Sequence, residues 1–368
     1  MPGRVMRAVP QRVAVHLLVS LALFAGVPLG ALELSLNTEP GSTGPSLKIS
    51  GFADISFSAT DEDDNNAGFK EGQFILHFAS ALSSRVSFFA ETSLTARNGS
   101  DPKADIERMF IRFDYADPLK LSLGRYHTPI NWWNSNFHHG LWLQTTIDRP
   151  EMSKFGGPYI PVHFLGGLAE GVLPAGGLNF TYNVGFGNGR GEPITHGGDA
   201  GDNNDFKAFL GNFFIRPDRF YGLQLGVSGY RDRITLKDSP AVREWITAAH
   251  AVWQREDPEL IGEVAWVHHD PSEGGNKKDS VAGYLQAAYR LPFWDDTFKP
   301  YYRWEYTGIP TGDETFESAR TSLNEQVHTA GVRWDVASFV AVKTEYRNFR
   351  KPGRPEINGG FFQVSVTF

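Results

Sequence analysis

Not one cysteine occurs among the 368 residues, so neither a disulfide framework nor a cysteine-ligated metal site is open to this chain. Long apolar runs are almost as scarce. Mean hydropathy is -0.31. Beyond residue 31 no window approaches the roughly 18 uninterrupted apolar residues that a spanning helix needs, which excludes a helical membrane protein. No CxxC or HExxH spacing and no nucleophile elbow is found. "GNGRG" (Gly187 to Gly191) has no helix after it to make a phosphate-binding loop. With a formal net charge of -7, no nucleic-acid partner is expected.

What is abundant is glycine (39 residues), tryptophan (nine) and aromatic residues generally, at 13 %. Arg4, Arg7 and Arg12 precede the apolar stretch "VAVHLLVSLALFAGVPLGA", which runs into small residues at Ala31. That order describes a secretory signal peptide over residues 1–31. A membrane-anchoring helix is the weaker alternative, because Pro28 and Gly30 break the end of a barely sufficient run. An exported, cysteine-free, glycine- and aromatic-rich chain of low hydropathy fits a transmembrane β-barrel, where only every second residue of a strand faces lipid.

The segments obey that expectation. Strands are predicted over 47–59, 72–82, 85–97, 106–116, 119–127, 161–173, 178–187, 205–216, 221–232, 243–256, 259–269, 280–293, 298–308, 326–336, 339–350 and 357–368, sixteen in all. "SS" at 83–84, "DP" at 117–118, "PAGG", "PDRF", "DP" at 257–258, "WDDT" and Ser338 supply tight turns. These alternate with eight longer polar loops, which predicts an all-β, antiparallel up-and-down barrel over 47–368 after a short periplasmic segment, 32–46. In "IERMFIRFDYA", Met109, Ile111, Phe113 and Tyr115 share one face, and Arg108, Arg112 and Asp114 share the other with Phe110. In "FVAVKTEYRNFR", Val340, Val342, Thr344 and Tyr346 oppose Lys343, Glu345 and Arg347. Charged inner faces require a wet lumen. Trp245, Trp253, Trp304, Tyr306 and Trp334 fall on outward faces, as girdle residues should. The final run "GGFFQVSVTF" alternates to its last residue, so the terminal strand is expected to close the barrel against the first.

That terminal strand, together with "RMFIRFDYADPLKLSLGRYHTP", resembles the sixteen-stranded outer-membrane porins of Gram-negative bacteria, including phosphate-selective porin O/P-like proteins. The resemblance implies a terminal Phe read by the barrel-assembly machinery, and a third outward loop, about 128–160, folded into the lumen to narrow it. It also implies a lipid bilayer and lipopolysaccharide as surroundings, small hydrophilic solutes as cargo, no cofactor, and a homotrimer among the admissible assemblies. The loop "PINWWNSNFHHGLWLQTTIDRPEMSKFGGPYI" carries Trp132, Trp133, Phe137, Leu141 and Trp142, which need a surface to pack on.

Pore selectivity comes from charged side chains at a constriction. The pore-lining candidates are Arg108, Arg112, Arg303, Arg333 and Arg347 among the basic residues, and Glu305 and Glu345 among the acidic ones, with Asp54, Glu91 and Glu263 as further inward acids. Asp148 and Glu151, from the third loop, are expected to face the arginines and set up a transverse field. His127, His138, His139 and His163 bracket the same loop, and His268 adjoins His269. They keep a second reading open, a barrel that binds a metal or a redox or partner protein through its histidine-rich loop. Adjacent histidines point opposite ways on a strand, which counts against a metal site. "DEDDNNAG" and "GGDAGDNND" lack the EF-hand pattern and read as solvated outward loops. An outer-membrane hydrolase would need a serine–histidine pair that the chain does not show. The favoured function is therefore a porin, not an enzyme.

If residues 1–31 are an export signal, the mature chain starts at Leu32. Intact-mass measurement of the membrane-inserted protein is expected to give the mass of 32–368; retention of 1–31 would overturn the reading.

Overall fold

The computed structural model describes residues 45–62, 65–97, 100–137, 139–154, 159–191, 194, 204–235, 240–318 and 324–368. The export signal, nearly all of the 32–46 segment and His138 lie outside the described residues. Sixteen strands follow one another: β1 (Ser46–Thr60), β2 (Gly68–Ala81), β3 (Val86–Arg97), β4 (Ser100–Ala116), β5 (Leu119–His127), β6 (His163–Leu173), β7 (Phe180–Asn188) and β8 (Ala208–Ile215). Then come β9 (Leu223–Ile234), β10 (Val242–Gln254), β11 (Glu259–Pro271), β12 (Lys278–Ala288), β13 (Phe298–Gly308), β14 (Glu325–Ala337), β15 (Val340–Arg350) and β16 (Ile357–Thr367). Each pairs antiparallel with its sequence neighbours and β1 pairs with β16, so the sheet is a closed up-and-down barrel without an edge.

Two strands, β5 and β13, coincide with their predicted spans. The largest departure is β4, which begins at Ser100 and pairs it with Arg97 of β3. Only residues 98–99 separate these strands, and residues 289–297 between β12 and β13 outnumber residues 272–277 between β11 and β12, so the expected alternation of short and long connections fails at more than one place. Between β3 and β4 the sequence itself carries Asn-Gly, a strong two-residue hairpin signal. Among the described residues α-helix is confined to two short pieces, α1 (Trp132–Asn136) and α2 (Glu314–Ser318).

The outer face is apolar. Leu123 is 66 % exposed and Leu285 60 %, as lipid-facing positions are when the barrel stands alone. Trp245, Trp253, Trp304, Tyr306 and Trp334 alternate with buried neighbours and lie on this outer face. At the short-turn end Phe220, Tyr221, Phe293 and Trp294 are exposed aromatic residues. The inner face is of two kinds. On β15, Lys343, Glu345 and Arg347 point inward, as the alternation predicts. On β8–β12 the inward residues include Leu210, Tyr230, Ile246, Val252, Ile261 and Tyr284, so a wall charged all round is not what this sequence builds. That apolar inner stripe forms one cluster with Ile130, Trp132, Trp133, Met152, Tyr159 and Ile160 from the segment between β5 and β6.

Closure rests on a small–large fit. Gly51 donates its N–H to Phe368 O at 2.7 Å, and Phe368 donates to Gly51 O at 3.0 Å. A Cβ on Gly51 would stand 2.3 Å from the Phe368 ring, so only glycine lets the ring lie across β1. The ring reaches Phe74 of β2, centroid to centroid 5.8 Å. Gly51→Val is therefore expected to destabilise the β1–β16 seam by about 1–3 kcal/mol through overpacking, and deleting Phe368 to lower the yield of folded barrel. Both are read from the temperature at which the fast-migrating folded band on a gel converts to the unfolded one. Unchanged conversion temperature and yield would show that the seam does not depend on this contact.

Candidate functional site

The segment after β5 is irregular backbone, and its N–H and C=O groups need partners that regular structure does not supply. The base is a continuation of the β5–β6 ladder, with Thr128 N–H donating to Val162 O at 2.9 Å. From there the segment turns to side chains of the barrel wall. Glu263 Oε1 on β11 accepts the N–H groups of Trp132 and Trp133, both at 2.7 Å, at the start of α1, where helical N–H groups lack internal partners. Ser228 Oγ on β9 accepts from Asn131 N–H at 2.9 Å. Inside the segment Arg149 donates to Asn134 Oδ1 at 3.0 Å and to Ser153 O at 2.6 Å.

A second set of anchors comes from β13, β14 and β15. Arg333 donates to the carbonyls of Trp142 and Gln144 at 2.7 and 2.8 Å. Lys343 donates to Leu141 O at 2.5 Å and Thr146 O at 3.0 Å. Arg303 donates to Thr146 Oγ1 at 2.8 Å and Asp148 O at 3.0 Å. The acids take the opposite role. Glu345 accepts from Ile147 N–H at 2.7 Å, and Glu305 from Glu151 N–H at 2.6 Å. Cations therefore hold loop carbonyls, and carboxylates hold loop N–H groups, the charge-assisted pairings that are strongest in a low-dielectric setting.

The predicted lining residues fall into two groups. Arg303, Glu305, Arg333, Glu345 and Arg347 are brought together with Asp148, and all five wall residues are buried. Arg303 is 2.8 Å from Glu305, Arg333 is 2.8 Å from Asp335, and Arg347 pairs with both Glu345 and Asp148. Enclosure by the barrel pushes the Asp148 carboxyl up, but the Arg347 guanidinium beside it more than offsets this and holds it below the usual carboxylate range. The Asp148 side chain itself remains 57 % exposed. Glu151 does not face an arginine: its carboxylate meets Lys154 at 2.8 Å. Arg108 and Arg112 sit apart on β4, partly exposed, with Glu91 2.5 Å from Arg108, and with Asp114 at 2.8 Å and Glu170 at 3.5 Å from Arg112.

Lys343 and the loop's own Arg149 are anchors that sequence reasoning did not select. Lys343 was within reach, because it alternates with Glu345 and Arg347 on the polar face of β15. Three of the loop-bracketing histidines gather beside Glu107, with the His127 ring 6.2 Å from the His163 ring, whereas His268 and His269 lie elsewhere. His139 lies 3.2 Å from Glu107 and 2.7 Å from Gln73, and His163 lies 3.5 Å from Glu107. His268 bonds Asp279, whereas His269, on the other face, lies between Glu244 and Asp313. Among the described residues no group of three or more such side chains stands where it could hold a metal ion.

No protein-family model matches this chain, and no curated protein matches it in sequence. Solved structures do match in fold. The outer membrane channel DcaP of Acinetobacter baumannii superimposes with a TM-score of 0.64 at 11 % identity, over 90 % of this chain and 99 % of that one. OmpF of Salmonella typhi, in complex with daunomycin, gives 0.63 at 14 % identity over 89 % and 98 %. OmpT of Vibrio cholerae in a trimer form gives 0.58 at 13 % over 88 % and 100 %. At such identities the likeness is one of architecture, and in architecture this chain is a porin-like sixteen-stranded β-barrel.

Proposed function

We propose that the chain is an outer-membrane channel through which ions and small hydrophilic solutes diffuse passively, with the segment between β5 and β6 as its constriction. The observation that carries this reading is the set of hydrogen bonds tying that segment to inward-facing side chains of β9, β11, β13, β14 and β15. Sixteen strands enclose an aqueous lumen, and a segment bonded to its wall narrows the lumen without sealing every side chain. Arg108, Arg112, Asp114, Asp148 and Glu170 keep partial exposure and are the groups a passing ion meets. The outer face would lie in the lipid bilayer, the longer loops toward lipopolysaccharide, with export through residues 1–31 and insertion by the barrel-assembly machinery. A homotrimer is the assembly proposed, by analogy with the trimer form of the Vibrio cholerae neighbour.

Purified protein in planar bilayers is expected to produce stable conductance steps; a folded barrel that conducts no ions overturns the proposal. Two arginines should then behave differently. Arg112→Glu, in the partly exposed group, should shift the reversal potential in a salt gradient toward cation preference, more strongly at low ionic strength, where screening is weaker. Arg333→Glu loses both carbonyl contacts to the loop and should raise conductance. Lys277→Glu, on an outward loop and 64 % exposed at the side chain, should change neither.

A further inference from the structure

Between the constricting segment and the short-turn end of the barrel lies a chamber of about 890 Å3, a volume that suits a small organic ligand. Its two sides differ in chemistry. The loop side presents Phe137 and Trp142, both half-buried, and Leu143, which is 41 % exposed. Behind them Trp133 and Trp132 pack against Phe137 with ring centroids 4.8 and 5.2 Å away, so the apolar surface is backed and held in place. Trp142 carries the Arg333 guanidinium 5.6 Å over its ring and still lines the open space with Phe137 and Leu143, an apolar patch turned toward water.

The wall side is cationic, with five basic residues against three acidic ones. Two of the three carboxylates are paired with cations, and the third accepts from an amide. Glu256 is 3.0 Å from Arg290 and 3.1 Å from Lys299, Glu259 is 2.7 Å from Lys299, and Asp218 accepts from Asn179 at 2.6 Å. Arg290 and Arg333 share Asp335 as well. Arg216 and Arg255 have no carboxylate partner among the described residues. Arg216 donates to Gln224 Oε1 at 2.9 Å and lies 4.8 Å over the Phe214 ring, while Arg255 stands 6.0 Å over the Tyr221 ring. A guanidinium bound only to a neutral amide keeps capacity for a bidentate carboxylate.

We propose that this chamber is a binding site for aromatic carboxylates, with the carboxylate on Arg216 and the ring against Phe137, Trp142 and Leu143. The flat ring is preferred because Trp142 and Phe137 offer edge and face contacts beyond their area. A cation would meet the uncompensated guanidinium, and a short aliphatic acid would leave the apolar side bare. The proposal rests on the channel reading only for how a ligand arrives; binding is an equilibrium property that needs no conductance, so the two fail separately.

The test is isothermal titration of the full-length, detergent-folded protein with 2-naphthoate, acetate and the neutral 2-naphthalenemethanol. Naphthoate is expected to saturate one site, with acetate and the alcohol each at least about tenfold weaker. Arg216→Gln should weaken naphthoate binding about tenfold and Arg216→Lys less, since Lys keeps charge without the fork. Trp142→Ala should also weaken it, Trp142→Phe less so, and Lys277→Gln not at all. Heat-dependent gel migration confirms that each variant is folded. Equal affinity for naphthoate and acetate, equal affinity for naphthoate and the alcohol, or naphthoate binding unchanged in Arg216→Gln, would overturn the proposal.

Discussion

Everything in this molecule depends on one requirement of the bilayer interior: no water is present there to satisfy a strand's N–H and C=O groups, so every one must find a partner in the chain itself. An open sheet would leave two edges in hydrocarbon. Pairing β1 with β16 removes both. The glycine at position 51 is the local expression of that requirement, since it gives up a side chain so that the last ring can lie flat across the first strand. Once the ring of strands is closed, sixteen of them set a diameter too large for wall side chains alone to fill. The space left inside is what the segment after β5 occupies in the proposed channel.

Because that segment is neither helix nor sheet for most of its length, its backbone is the next problem. The wall solves it with charge of the matching sign. Arg303, Arg333 and Lys343 reach loop carbonyls, and Glu263, Glu305 and Glu345 reach loop N–H groups. A buried charge lacking such partners would be costly. The same residues are consequently withdrawn from the water. In the proposed channel, the charge that a solute meets is therefore not the sum of inward charges in the sequence, but the smaller set that remains exposed around Arg108, Arg112 and Asp148.

Strand alternation was legible because it is imposed by geometry within each strand. Hence β5 and β13 could be placed to the residue, and Lys343, Glu345 and Arg347 assigned to one face. The first part of β4, "SDPKAD", was not legible as strand: its charges and Pro102 look like loop, and only the preceding Asn98-Gly99 says otherwise. The apolar inner stripe of β8–β12 was hidden for a different reason. Ile246, Val252 and Ile261 are buried by residues more than eighty positions earlier, and no local pattern distinguishes a side chain facing lipid from one facing a packed loop. The inward position of Arg303 and Arg333 could be read from alternation; that each would bind particular loop carbonyls could not, since this depends on the path of an irregular segment.

In a wide, closed sheet the ladder hydrogen bonds fix the register between strands, but bending and twisting of the sheet can still flatten its cross-section, as with any thin-walled tube. Here the segment after β5 is bonded to β9 and β11 near its start, to β13, β14 and β15 along its middle and to β11 again at Tyr159, and His139 ties it to Gln73 of β2. It therefore acts as an internal strut. The shape of the tube and the position of the strut become a single mechanical variable, so a squeeze on the outside of the barrel is transmitted to what is, in the proposed channel, its constriction.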